Sequence, residues 1–166
     1  MPHLKLPTEK GIEDYRLAEP VDFAAPDVPL NRIAFAAVHV VADPLADNDP
    51  WLDATVDWDR TMAFRRHLWS HGFAVAEAMD TAQRGMGLDY PKALELIQRS
   101  VKEARGVKGA VVFSGVGTDH LAPSPDLSLS QIRDAYFKQL ADVEAAGSRV
   151  IMMASRALAA CAKGPE

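Results

Sequence analysis

Polar and charged residues follow four short apolar segments of this sequence. They are His39 and Asp43, then Glu77, Asp80 and Thr81, then Asp119 and His120, and finally Ser155 and Arg156. Carboxylates and imidazoles are the groups that proteins use most for acid–base catalysis and for binding divalent metal ions. Burying such groups without partners costs about 2–7 kcal/mol each, so they must pair with one another, with water or with a ligand. The sequence therefore predicts a polar site where these segments end.

Some of these candidates also have a structural interpretation. His39 lies in an apolar segment, where a hydrogen-bonded core histidine is commoner than a metal ligand. Glu77 lies inside the segment FAVAEAM, where an acidic residue is rarely exposed if the segment is a central strand. An acid/base role and a buried ion pair with Arg84 or Arg156 therefore explain Glu77 equally well.

The loop residues have structural alternatives as well. Asp80 and Thr81 can cap a short helix over 81–85. Gly115 and Gly117 can simply permit a tight turn. A metal site is a further alternative, because oxygen and nitrogen ligands suit Mg²⁺, Mn²⁺ or Zn²⁺. Its ligands would come from His39, Glu77, Asp80, Asp119 and His120, although no metal-binding spacing motif supports it.

The four apolar segments have the length of β-strands. They cover residues 32–41, 73–78, 109–114 and 149–153. Unbroken apolar runs without alternation are typical of strands that are buried on both faces. We therefore expect these segments to form a parallel sheet that is covered by helices.

Helix signals separate the predicted strands. Asp57 is placed to cap a helix that runs to about residue 71, and Asp89 with Pro91 indicates a second helix. Ser128 and Gln131 form the capping box S-x-x-Q at the start of a third, amphipathic helix. The order β-α-β-α-β-α-β is typical of α/β proteins with a parallel sheet. The last 11 residues, RALAACAKGPE, predict only a short helical turn or a loop.

Two folds fit this order of elements. One is a flavodoxin-like open sheet, and the other is part of a (β/α)₈ barrel. The last predicted strand has no full covering helix behind it, and a barrel needs about 250 residues where this chain has 166. The chain is thus either a compact four-stranded α/β domain with a short tail or the first half of a barrel.

Composition excludes several classes of protein. A net charge of −5 argues against nucleic-acid binding, and the single cysteine, Cys161, excludes a disulfide scaffold. The chain opens without a secretory signal, and its apolar runs are far shorter than the roughly 18 residues of a membrane span. We therefore expect a cytoplasmic protein that binds a small-molecule substrate and neither nucleic acid nor membrane.

Three stretches of the sequence resemble a known family. They are AFAAVHVVADPLADN, DWDRTMAFRRHLWSHGFAVAEAMDTAQRGMGLDY and RVIMMASRALAACAKGPE. They are similar to an uncharacterised bacterial family that is related to dihydrodipicolinate synthase and N-acetylneuraminate lyase. The resemblance runs from about residue 30 to the last residue and covers the first half of the family's barrel. It implies an aldolase or lyase that forms a Schiff base.

The motifs of those relatives are only partly present in this sequence. The relatives carry a Gly-Thr-Thr-Gly-Glu turn after the second strand, which holds a substrate carboxylate. Here residues 79–83 read Met-Asp-Thr-Ala-Gln, so only Thr81 matches, and the charge of Asp80 would repel a carboxylate. The third-strand motif matches better, at residues 115–118, with Asp119 where the relatives often carry Asn. The relatives' Schiff-base Lys and phenolic Tyr lie on later strands that these 166 residues do not contain.

From the residues and the resemblance together we predict an α/β fold of parallel (β/α) units, about the first four of eight units of a TIM barrel. Residues 1–31 form an irregular arm, with a short hairpin over 3–18 as an alternative, and residues 32–166 form the half-barrel. The predicted function is carbon–carbon bond cleavage or formation on a small oxo-acid or sugar-derived substrate, without a cofactor. We expect the full-length protein to be a homo-oligomer and this fragment to be catalytically inactive. The predicted catalytic residues are Glu77, Asp80 and His39. The predicted substrate-binding residues are Thr81, Gly115, Gly117, Thr118 and Asp119. The alternatives are a divalent-metal-dependent barrel isomerase or aldolase and a non-catalytic small-molecule-binding module.

Overall fold

Four parallel strands form the central sheet of the protein. The structure is a computed structural model that describes residues 3–19, 21, 31–49 and 52–164. The strands are β3 (Phe35–Ala37), β4 (Ala74–Glu77), β5 (Val112–Val116) and β6 (Arg149–Met152). They lie side by side in the order in which they occur in the chain, and each is parallel to its neighbour. A flavodoxin-like sheet would change its direction of winding at a switch point, so this strand order argues against that alternative.

Helices connect the strands and pack against the sheet. They are α1 (Trp58–Ser70), α2 (Tyr90–Ala104), α3 (Leu129–Ala145) and the short α4 (Arg156–Cys161). Helix α1 packs on β4, α2 on β4 and β5, and α3 on β5 and β6. Connections between neighbouring parallel strands are right-handed, so consecutive crossovers place their helices on the same face of the sheet.

The main core lies between the sheet and the helices. Leu88, Leu96, Ile97 and Val143 are fully buried there. On the opposite face of the sheet, Phe35 and Phe113 contact each other edge to face at 4.8 Å, and Phe35 remains 39% exposed. Only β4 is buried along its whole length, so the expectation that all four strands are buried on both faces is wrong for β3 and β6. The reason is that the helices cover one face only.

The N-terminal arm contains a β-hairpin. Strands β1 (His3–Thr8) and β2 (Gly11–Arg16) pair in antiparallel register, and all their residues are exposed. The arm is therefore regular over this part, as in the alternative that allowed a hairpin. The prediction of an irregular segment over 22–30 lies outside the described residues. Within the described ranges, no helix combines the length and the apolar character that crossing a bilayer requires.

The start of α3 offers a test of local stability. The Ser128 hydroxyl accepts a hydrogen bond from the Gln131 N–H at 3.3 Å, and the Gln131 side chain accepts one from the Ser128 N–H at 2.9 Å. Replacing Ser128 with alanine should lower the free energy of unfolding by about 1 kcal/mol, as measured by urea denaturation. Ser128→Asp should retain most of the stability, because aspartate caps helices equally well. Equal losses in the two variants would contradict the capping role.

Candidate functional site

The carboxyl ends of β4, β5 and β6 open into a cleft. It encloses about 160 Å³, and the loops that follow these three strands form its walls. The charged, polar and glycine residues that line it are Asp80, Arg84, Gly85, Gly117, Thr118, Asp119 and Arg156. Ligands of parallel α/β folds bind at this edge of the sheet. Several of the residues predicted from the sequence therefore share one concave surface.

Arg84 joins the loops after β4 and β5. Its Nε and one terminal nitrogen donate hydrogen bonds to the two carboxylate oxygens of Asp119, at 3.1 and 2.5 Å. Its other terminal nitrogen donates to the carbonyl oxygens of Ala78 and Gly115, at 3.0 and 2.8 Å. A fifth hydrogen bond, of 2.8 Å, goes to the side-chain oxygen of Gln139. A guanidinium has five N–H donors, so Arg84 has none left for a ligand.

The carboxylate of Asp119 is held in place by its neighbours. Burial alone would raise the pKa of Asp119, but the hydrogen bonds and the charge of Arg84 outweigh burial and hold this pKa below its ordinary value. The side-chain nitrogen of Gln139 also donates to Asp119, at 2.8 Å. Asp119 was predicted to bind substrate, but its oxygens already accept these three hydrogen bonds. The structure instead favours a positioning role, in which Asp119 fixes the loop that forms one wall of the cleft.

Gln139 is a site residue that sequence reasoning missed. It is fully buried, and its side-chain oxygen accepts a hydrogen bond from the Gly117 N–H at 2.7 Å. Its side-chain nitrogen also lies 2.8 Å from Nδ1 of His120, which accepts the hydrogen bond. Burial lowers the pKa of His120, in agreement with a neutral ring. The signal in the sequence was a glutamine on the apolar stripe of an amphipathic helix.

Glu77 lies between the sheet and the helices, outside the cleft. Arg65 of α1 donates two hydrogen bonds to its carboxylate, at 3.0 and 2.9 Å, and both side chains are fully buried. The Ser100 hydroxyl and the Ala78 N–H donate to the same carboxylate. These four donors occupy the lone pairs that an acid–base catalyst would need. The prediction that His39, Glu77, Asp80 and Asp119 gather around one concavity therefore does not hold for Glu77, whereas Asp80 and Asp119 both line the cleft.

The predicted ion-pair partners of Glu77 also need correction. The ion-pair interpretation of Glu77 named Arg84 or Arg156 as the partner, but the residue that pairs with it is Arg65. Residues of one strand alternate between its two faces, and Glu77 lies on the same face of β4 as Val75, towards the helices. Arg84 lies beyond the end of the strand, where Asp119 is within its reach.

The turn after β4 carries Asp80 and Thr81. It is one turn of 3-10 helix, Asp80–Ala82, where the sequence predicted a short helix over 81–85. Asp80 is exposed on the cleft wall, and its carboxylate has no hydrogen-bond or ion-pair partner among the described residues. Nδ1 of His39 donates to the Thr81 carbonyl at 2.9 Å, which braces this turn from outside the lining of the cleft. Since a carbonyl only accepts, Nδ1 carries the proton in this hydrogen bond.

The loop after β5 contains the other predicted binding residues. A Cβ at Gly115 would lie 2.7 Å from the Met153 sulfur and 2.8 Å from the Ala78 carbonyl oxygen, so close packing requires a glycine there. Gly115 does not line the cleft, which corrects its assignment to substrate binding. Thr118 does line it, and its hydroxyl forms a 2.6 Å hydrogen bond with the hydroxyl of Ser155.

The remaining candidates do not form a metal centre. In the part of the chain that the structure describes, no group of three or more His, Cys, Asp or Glu side chains could hold a metal ion. Asp43 accepts a hydrogen bond from the Leu45 N–H within a turn, at 3.0 Å. The residues proposed from the sequence as metal ligands do not lie together, because Glu77 lies between the sheet and the helices and His39 lies outside the cleft.

Comparison with known proteins gives a family match and a likeness to solved structures. The model of a family described as "Protein of unknown function (DUF993)" matches residues 4–166, and thus includes the hairpin. None of the curated proteins compared matches the chain.

The crystal structure of dihydrodipicolinate synthase from Bacillus clausii is similar to this chain, with a TM-score of 0.51 and 17% sequence identity. The likeness covers 76% of this chain and 36% of that chain. This chain therefore matches little more than a third of that protein's length, and the likeness is one of fold.

Proposed function

This chain belongs to the DUF993 family of proteins of unknown function, and from that premise we propose that it supplies the first half of a (β/α)₈ barrel in an aldolase or lyase. The cleft at the carboxyl ends of β4, β5 and β6 is the observation that carries this proposal. Barrel enzymes build their active sites at this end of the strands. The proposed substrate is a small oxo-acid or sugar-derived molecule.

Closure of the sheet into a barrel is supported by two features. The strands follow one another across the sheet in chain order, as consecutive strands of a barrel do. The face that carries Phe35 and Phe113 is not covered by the helices, and in a barrel this face would line the packed interior. Further strands would bury these rings.

Within this proposal the cleft residues have distinct tasks. Asp80 is the carboxylate that is free to exchange a proton or accept a hydroxyl group of the substrate. Thr118 offers a hydroxyl to the substrate, and Arg84 with Asp119 holds the loop that carries it. His39 acts through the turn at Thr81.

The nucleophile of the proposed reaction is a lysine from outside these 166 residues. Every lysine of the chain lies within the described residues, and none of them lines the cleft. Lys92 pairs with Asp53, and Lys138 pairs with Asp142, both away from the cleft. A Schiff-base amine needs a lowered pKa and contact with the substrate carbonyl, and these lysines have no such contact.

Borohydride trapping tests this function. A lysine amine and the carbonyl of pyruvate form an imine with loss of water, and hydride from borohydride reduces the imine to a stable secondary amine. The full-length protein should gain the mass of one reduced pyruvate adduct on one lysine, as measured by mass spectrometry of peptides. The 166-residue chain should gain none under the same conditions.

Two results would count against the proposal. Stoichiometric trapping on the 166-residue chain would place the nucleophile among its own lysines. Absence of trapping in the full-length protein with a panel of oxo-acids would reject Schiff-base chemistry and favour the binding-module or metal-dependent alternatives.

A further inference from the structure

Arg156 is a cation of the cleft wall that has no carboxylate partner among the described residues. Arg84, its neighbour in the cleft, is neutralised by Asp119. Arg156 makes one hydrogen bond, from a terminal nitrogen to the Arg84 carbonyl at 3.2 Å, and forms no ion pair with any described residue. Four of the five N–H donors of its guanidinium are therefore without a protein acceptor among the described residues.

Gly85 makes room for this guanidinium. A Cβ at Gly85 would lie 2.4 Å from a terminal nitrogen of Arg156, well inside van der Waals contact. The residue has a φ of +69°, which glycine adopts readily. The side chain of Arg156 is exposed, and the space above Gly85 together with the hydrogen bond to the Arg84 carbonyl places its guanidinium at the wall of the cleft.

Resting on the proposed function, we propose that Arg156 binds the anionic group of the substrate, a carboxylate or a phosphate ester. A guanidinium can donate two parallel hydrogen bonds to either group, which gives both affinity and orientation. The chain carries a net charge of −5, so an uncompensated cation in the cleft is also the local feature that attracts an anion.

Asp80 restricts the substrate further. It lines the same cleft as Arg156, yet the two side chains form no salt bridge with each other. A carboxylate repels a second anion and accepts hydrogen bonds from hydroxyl groups. The substrate class is therefore a small molecule that is anionic at one end, at Arg156, and carries hydroxyl or other donor groups at the end near Asp80.

The test is calorimetric titration of the full-length protein with pyruvate and, separately, with inorganic phosphate. Saturable binding of at least one probe is expected, and the probe that binds more tightly identifies the anion as carboxylate-like or phosphate-like. Arg156→Gln should weaken that binding by about 10–100-fold, the effect expected when a charge-assisted hydrogen-bonded pair is lost. Asp80→Asn should tighten it several-fold, because repulsion is removed.

Two further variants make the assignment specific. Arg133→Gln removes an exposed arginine of α3 that pairs with Asp134, and it should bind each probe as the wild type does. Gly85→Ala keeps the charge of Arg156 but displaces its guanidinium, so it should also weaken binding. Thermal melting of each variant checks that the fold is retained.

Failure of this inference can be distinguished from failure of the proposed function. Wild-type affinity in Arg156→Gln, or no saturable binding of either probe by the wild type, would overturn the inference even if borohydride trapping succeeds. Loss of binding in Arg156→Gln would support it even if trapping fails, because the titration requires no catalysis. In an active protein the same variant should raise KM far more than it lowers kcat.

Discussion

Replacing Glu77 with glutamine should lower the free energy of unfolding by about 3–5 kcal/mol. Glutamine keeps the size of the side chain but cannot neutralise Arg65, whose guanidinium is fully buried against it. The loss is a large part of the 5–15 kcal/mol that stabilises a typical domain. Urea denaturation followed by far-UV circular dichroism measures it.

A double variant makes this prediction sharper. Replacing both Arg65 and Glu77 with leucine removes the uncompensated charge together with its partner, and apolar replacements of buried pairs are often close to neutral. The double variant should therefore be more stable than Glu77→Gln alone. The exposed pair Arg66–Glu103 provides the matched control, because Glu103→Gln should cost less than about 1 kcal/mol. A Glu77→Gln variant as stable as the control would mean that Arg65 does not depend on Glu77.

The helices could be predicted from the sequence because their signals are local. Asp57, Asp89 and Ser128 each accept a hydrogen bond from the backbone N–H three residues further on, as their positions before apolar stripes indicate. The predicted order of strands and helices is also the one observed.

Strand lengths could not be predicted in the same way. The apolar run over 32–41 has the length of a full strand, but only Phe35–Ala37 pair with β4. A strand extends only as far as its neighbour offers partners, and β4 itself has only four residues. His39 consequently lies beyond the ladder, where it contacts the turn at Thr81.

The candidate site shows the same division between local and long-range information. The rule that parallel strands present their carboxyl ends at one edge selected Asp80, Asp119 and Arg156, and all three line the cleft. It could not assign partners, because Arg84 and Asp119 are 35 residues apart in sequence. A charged residue on an apolar helix stripe, such as Arg65 of α1, was the available sign that a buried carboxylate lay opposite.

Replacing Asp119 with asparagine should lower the free energy of unfolding by about 3 kcal/mol at pH 7, because Arg84 loses its only carboxylate partner in the described structure. The effect should also depend on pH. The folded-state pKa of Asp119 lies below its ordinary value of 3.8, so its ionised form stabilises the fold above that pH. This stabilisation is lost as the pH falls through the folded-state pKa. The difference in the free energy of unfolding between wild type and Asp119→Asn should therefore become smaller below about pH 3.8.

The difference in the free energy of unfolding between wild type and Asp119→Asn, followed as a function of pH, reports on Asp119 and not on the other acidic residues. Asp142 also has a lowered pKa, through its hydrogen bonds with Lys138 and Tyr90, but both proteins share it and its contribution cancels. Asp134→Asn is the matched control, because its pair with Arg133 is exposed and its stability curve should run close to that of the wild type. If the difference in the free energy of unfolding between wild type and Asp119→Asn stays constant from pH 7 to pH 2, the charge of Asp119 does not contribute to stability. In that event the wall of the cleft at Thr118 would not depend on the ion pair with Arg84, and the positioning role given to Asp119 would fail.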